Sequence, residues 1–261
     1  MLLGLSLAVL VRLACGATLS GEEIVRHCDN KYAGKDQRSR LIIELSSQGG
    51  EAASSEYLRL WKNYQGKDGI EDKVILFAIS PLDVRGVNFM RWGYTAKTGK
   101  LADQWVYLPE LTMVRRVSQR DPNSLSWGYT DEDLRIRDPG EDEHSFLNIT
   151  VDSGQEFYVV ESVPRGESSY SKWETYYYKT EDWQDCAPRR VDYYDKSGEV
   201  IKQQIITWKR QKGAWVWDTA VMYNLRDKIS ATYRMLDTEV DVGLPDRIFT
   251  ERQLQRGYPD Q

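Results

Sequence analysis

From Leu41 onward, apolar and polar positions alternate with a period of two. Clusters of turn-forming residues interrupt the alternation: Gln48-Gly49-Gly50, the stretch from Gly66 to Gly69, Lys97-Thr98-Gly99, Asp152-Ser153-Gly154, Lys196-Ser197-Gly198 and Gln211-Lys212-Gly213. Period-two runs divided by glycine-bearing turns are the pattern of antiparallel hairpins. Strands are predicted over residues 57–64, 89–96, 104–108, 157–163, 172–179, 190–195, 200–209, 215–224 and 229–236. A sheet of that many strands curls or closes, because twist accumulates across it and open edges invite aggregation.

A helix precedes the strands. Ser20 with Glu23 three residues later is a capping box, and Ile24, Val25, Cys28 and Tyr32 fall on one stripe that Gly34 ends. Three short helical pieces are also predicted. Residues 80–86 open with Ser80-Pro81 and close at Gly86; residues 130–134 start at Thr130 with three acids behind it; residues 250–256 lie near the end of the chain. They are placed as lids over the sheet. With no repeat, low-complexity tract or linker, residues 18–261 read as one mainly β domain, α+β in detail.

Residues 1–11 are almost entirely Leu, Val, Ala, Gly and Ser, and Cys15 and Ala17 supply small side chains where a signal peptidase looks for them. Residues 1–17 are therefore expected to be a signal peptide, since the apolar run falls short of the roughly 20 residues a membrane span needs. Leu13-Ala14-Cys15-Gly16 is also partly like a lipidation signal. A lipid-anchored form ranks second, because Arg12 stands where such signals carry a Leu-like residue. After cleavage Cys28 and Cys186 remain, open to one disulfide in an oxidising compartment or to two free thiols.

Composition removes several classes of function. The 35 basic and 40 acidic side chains give a net charge of −5 without a basic cluster, so nucleic acid is not an expected partner. Only two histidines occur, His27 and His144, and neither lies in a metal-ligand pattern, so no metal site and no cofactor are expected. His144-Ser145 are adjacent residues whose side chains point apart, which gives no triad and no catalytic residue. Residues 138–144 hold four acids and a histidine without the spacing of a calcium loop, and read as a solvated turn. The 9 Trp and 16 Tyr against 5 Phe favour rings that can face a half-wet cavity.

Several segments resemble the outer membrane lipoprotein-sorting protein family, the LolA/LolB-like carriers. They are Ser80-Pro81-Leu82-Asp83-Val84-Arg85-Gly86, the run from Gln104 to Leu111 with Val114-Arg115-Arg116-Val117, and Gly128-Tyr129-Thr130 with Glu132-Asp133-Leu134. Pro188-Arg189-Arg190-Val191, the run from Tyr194 to Gly198, and Val242-Gly243-Leu244-Pro245-Asp246 with Phe249-Thr250 extend the likeness over nearly the whole chain. The resemblance implies a half-open β-barrel in the bacterial periplasm, a curved antiparallel sheet whose concave side is covered by short helices and holds acyl chains. It further implies lipid or lipoprotein cargo, transient membrane contact, a monomer, and work beside a resistance-nodulation-division (RND) type exporter. Asp131 and the bulky strand Ala214-Trp215-Val216-Trp217 depart from the family pattern.

Alternation supplies candidate lining residues. Met90, Trp92 and Tyr94 share a face opposite Arg91 and Gly93; Trp105 pairs with Tyr107; Phe77 lies in a run apolar on both faces; Met113 is a flexible filler. Phe77, Met90, Trp92, Tyr94, Trp105, Tyr107 and Met113 are thus expected around a hydrophobic cavity, with ordinary core packing as the competing assignment. An alternative function follows from that competitor: a concavity filled by its own rings would suit an exporter adaptor without cargo.

Overall fold

The computed structural model describes residues 19–29, 31–47, 52–117, 130–134 and 137–258. The expected signal peptide and the Gln48-Gly49-Gly50 turn lie outside them. Thirteen described strands form one antiparallel sheet: β1 (Asp36–Ser47), β2 (Ala53–Asn63), β3 (Ile70–Ser80), β4 (Asn88–Tyr94), β5 (Asp103–Leu108), β6 (Met113–Val117), β7 (Asp142–Asp152), β8 (Gln155–Pro164), β9 (Lys172–Tyr178), β10 (Pro188–Tyr194), β11 (Val200–Gln211), β12 (Ala214–Asn224) and β13 (Ile229–Val240). Their order in the sheet is β6-β5-β4-β3-β2-β1-β13-β12-β11-β10-β9-β8-β7. Two meanders therefore meet at a central seam, where β1 pairs with β13 from Ser47↔Ile229 to Gln37↔Val240. The five predicted turns within the described residues each join consecutive strands.

The sheet is curled. Leu76 on β3 and Val191 on β10 share one buried cluster although six inter-strand steps separate their strands. In a flat sheet those steps would span roughly 29 Å at about 4.8 Å each, yet both side chains line a single hollow of about 710 Å³, whose walls a concave face supplies. The cluster also holds Leu41, Ile43, Trp173, Tyr193, Ala220, Met222, Tyr233 and Met235.

Helix α1 (Gly21–Asp29) sits on the β7–β8 side of that face. Ser20 Oγ caps it by accepting the Glu23 N–H at 3.1 Å, and Ile24, Val25 and Cys28 are buried against Val160 and Tyr177. Gly21 permits the close approach: a Cβ there would lie 2.7 Å from the backbone of His144 and Ser145. A disulfide joins Cys28 to Cys186 across 158 residues, with Cα atoms 4.9 Å apart. The helix stops at Asp29, short of the predicted end at Gly34. Tyr32 has left the stripe, and its hydroxyl donates to Asp241 Oδ2 at 2.6 Å as the chain turns toward β1.

Helices α2 (Asp131–Leu134) and α3 (Glu251–Arg256) form where the caps predict them: Thr130 Oγ1 accepts from Asp133 N–H and Thr250 Oγ1 from Gln253 N–H, both at 3.3 Å. Residues 80–86 do not form a helix. Their hydrogen bonds are successive four-residue turns, and Gly86 N–H returns to Ala78 O, so the segment closes the β3–β4 hairpin. The acidic stretch at 138–144 also departs from its expected solvated turn. β7 begins inside it at Asp142, which is 3% exposed and accepts the Arg137 Nε–H at 2.8 Å.

After β13 the chain crosses to the opposite face of β2–β5. Asp36 fixes that crossing: its buried carboxylate accepts the N–H groups of Val242 at 2.8 Å, Gly243 at 3.1 Å and Leu244 at 3.0 Å. Leu244, Phe249 and Leu254 then pack on Leu58, Leu60, Ile75, Phe77, Met90 and Trp105.

Candidate functional site

The concave face encloses a hollow of about 710 Å³, within the range of roughly 300–1,000 Å³ usual for small-molecule sites. Alternation decides which side chains reach it. On β3 Val74 and Leu76 point in, on β1 Leu41 and Ile43, on β12 Trp217 and Ala220, on β13 Tyr233 and Met235. Trp173, Val191, Tyr193, Ile206, Trp208 and Trp215 continue the wall, and Val25 and Cys28 of α1 close one side.

Phe77, Met90, Trp92, Tyr94, Trp105, Tyr107 and Met113 are not among the lining residues, and this corrects the expectation stated above. Phe77 and Met90, fully buried, and Trp105 pack beneath α3 on the opposite face, with Trp92 and Tyr107 at their margin. Trp92 meets Trp105 edge-on at 5.3 Å, Tyr94 donates to Asp103 Oδ2 at 2.7 Å, and Met113 is 45% exposed on β6. The pairings of alternate residues were sound, yet alternation does not say which face is hollow. Here one face of β2–β5 is packed by the chain after β13, and the other bounds the hollow.

The two ends of the hollow differ in charge. Where β10 leads into β11, Asp133 and Arg137 are both ion-paired. Lys202 Nζ donates to Asp133 Oδ2 at 2.9 Å, and Tyr170 Oη donates to Asp133 Oδ1 at 2.6 Å. Burial, reinforced by the Asp133 charge, pushes the Tyr170 hydroxyl well above its ordinary pKa. Arg137 bonds Asp142 and lies over the Trp173 ring at 4.7 Å. These contacts bind α2 and the chain behind it over the concave face.

Where β2 leads into β3 the arrangement is different. Asp72 Oδ1 accepts from Arg91 at 3.0 Å and its Oδ2 from Trp61 Nε1 at 3.0 Å, and the lack of a side chain at Gly93 makes room for that ion pair. Beside it lies Arg59, 8% exposed, between the rings of Trp61 at 5.8 Å and Trp217 at 5.9 Å. Its Nη1 donates to Gln37 Oε1 at 3.0 Å, and among the described residues no carboxylate lies within ion-pairing distance of it. Burial pushes the guanidinium pKa down to about 10, with the Asp72 charge opposing the fall.

His144 lines the hollow, and its partner is Ser162 rather than the adjacent Ser145. Its Nε2 lies 2.9 Å from Pro139 O, to which it donates, and its Nδ1 is hydrogen-bonded to Ser162 Oγ at 2.8 Å. Among the described residues no group of three or more His, Cys, Asp or Glu side chains is placed to hold a metal ion.

Sequence reasoning missed Arg59 and the Trp61 and Trp217 rings around it. A signal was present: Tyr57-Leu58-Arg59-Leu60-Trp61 is a strand with one charge among large apolar residues, and such a charge on a central strand is either paired or functional.

Residues 70–256 match a protein family described as an uncharacterized protein. No curated protein matches the chain in sequence. Among solved structures it is similar to a DUF1329 family protein from Desulfovibrio piger, with a TM-score of 0.77 and 23% identity over 90% of this chain and 97% of that one. A putative outer membrane lipoprotein-sorting protein domain from Vibrio parahaemolyticus gives a TM-score of 0.76 at 24% identity, over 90% and 98%. A LolA superfamily protein from Nitrosomonas europaea gives 0.65 at 17% identity, over 90% and 100%. At these identities the likeness is one of fold.

Proposed function

Because the chain belongs to that uncharacterized-protein family and has the LolA-like fold, we propose that it is a non-enzymatic carrier that shelters the acyl chain of a lipid or lipoprotein from water. The observation that carries the reading is the hollow itself, about 710 Å³ bounded by Leu41, Ile43, Val74, Leu76, Ile206 and Met235 together with indole rings. Removing a CH₂ from water is worth roughly 0.8 kcal/mol, so a chain of about fourteen carbons could contribute near 11 kcal/mol before ordering costs. Burial alone is sufficient chemistry for such a task. The names of two structural neighbours, lipoprotein-sorting and LolA superfamily, support the same class of cargo.

A periplasmic location, transfer between membranes, a monomeric carrier and partnership with an RND-type exporter extend the proposal, and the family resemblance in the sequence supports them. The alternative of a self-filled adaptor requires a concavity occupied by native rings. Trp173, Trp208, Trp215 and Trp217 line the open volume instead of occupying it, which favours the carrier.

Native mass spectrometry after gentle purification tests the proposal. Co-purified lipid, together with displacement of an environment-sensitive fatty-acid probe, is the expected result. Absence of both would overturn it. Turnover of an ester panel that His144→Ala abolishes would overturn the non-enzymatic part alone.

A further inference from the structure

The hollow is not uniformly apolar, and Arg59, a buried cation on its wall with no ion-pair partner among the described residues, is placed where a head group would end. Arg59 projects from the middle of β2 on the concave face, with Leu76 directly opposite on β3 and Ser39 directly opposite on β1. Leu41, Ile43, Val74 and Phe89 lie around it on the same wall. A guanidinium has five N–H donors in a rigid plane, and a single one is used here, toward Gln37. Asp72, the nearest acid by its electrostatic effect, is committed to Arg91 and Trp61. Trp61 and Trp217 flank the guanidinium and Gln37 holds one of its nitrogens, so Arg59 lines the hollow as a constrained fork with its other donors unused.

Burying an isolated cation is costly, and sequences avoid it unless the charge is met by something. The fork matches the geometry of a carboxylate or a phosphate, which it binds through two parallel hydrogen bonds. The surrounding wall matches hydrocarbon. Both requirements meet in one class of molecule, an anionic amphiphile. We propose that Arg59 is the receptor for the carboxylate or phosphate head group of an amphiphile whose chain occupies the hollow. This rests on the carrier reading above and adds polarity to it: the head group lies toward the β2–β3 turn, and the chain runs toward Tyr193 and Ala220.

Three ligands with the same fourteen-carbon chain test the inference: myristate, 1-myristoyl lysophosphatidate and myristyl alcohol, each displacing a fluorescent fatty-acid probe below its micelle concentration. Wild type should bind the two anions at least tenfold more tightly than the alcohol. Arg59→Gln should reduce that ratio to below twofold while leaving the alcohol unaffected, and Arg59→Lys, which keeps charge without the fork, should retain part of it. Circular dichroism and thermal melts confirm that both variants are folded. An anion-to-alcohol ratio near one in wild type, or equal weakening of all three ligands by Arg59→Gln, would overturn the inference and leave the carrier reading standing. Protection by inorganic phosphate or acetate alone at the same concentrations would also overturn it, since the site would then serve free anions. Failure of every ligand, the alcohol included, would overturn the carrier reading and this inference with it.

Discussion

Val74 and Ile75 are neighbours in the chain and belong to two different environments. Ile75 is fully buried and, with Leu58, Leu60, Phe77 and Met90, meets Phe249 and Leu254 from the chain that follows β13. Val74 faces the hollow beside Leu76, Phe89, Arg59 and the Asp72–Arg91 pair. One face of β2–β5 has been filled by the protein's own chain, while the other has been left open and given a cation. The difference teaches how a thin sheet can keep a void. Packing density is supplied on the closed face, so the open face need not supply it, and the open face can carry groups that a core would reject.

This comparison can be broken by substitution. The largest effect is expected for Phe77→Ala on the closed face, a loss of about 3–5 kcal/mol in denaturant unfolding, with probe affinity of the folded fraction unchanged. Replacing Cys28 and Cys186 together by Ala should cost about 2–4 kcal/mol and, by freeing α1 from the hollow, also weaken probe binding. Asp36→Ala should cost about 2 kcal/mol, because it strands the three N–H groups that turn the chain toward the closed face. Arg59→Leu should move the other way and raise the stability of the empty protein by about 1–2 kcal/mol. The sign follows from its folded pKa, pushed below the ordinary arginine value: the cost of holding that charge is present at neutral pH and is relieved only as pH rises from about 10 toward the ordinary arginine value. Smallest should be Val74→Ala, about 1 kcal/mol of stability, measured beside Ile75→Ala, which should cost about 2–4 kcal/mol. Equal losses at Val74 and Ile75 would mean that the two faces are equally packed.

Much of the fold was legible because it is local. Period-two alternation and glycine turns mark hairpins, and the caps at Ser20, Thr130 and Thr250 each gain their backbone partner three residues on. β6 and β7 were not legible: β6 carries Arg115-Arg116 in its centre, and β7 opens in a run of acids whose first buried member, Asp142, is neutralised by Arg137. The lining failed for a related reason. Met90, Trp92 and Trp105 have the look of pocket residues, but the chain that covers them arrives more than a hundred positions later. No property of β4 announces that cover. Arg59 was passed over because its significance is that the nearest carboxylate, Asp72, is committed to Arg91 and Trp61, a commitment that only the paired strands reveal.

The seam between β1 and β13 also governs the order of assembly. Each meander can zip up from hairpins as it emerges, since its pairings link strands adjacent in the chain. The Leu41↔Met235 and Ile43↔Tyr233 pairs join segments separated by about 190 residues, the slowest kind of closure a chain must make. Both halves wall the hollow, so it is complete only once this closure is made.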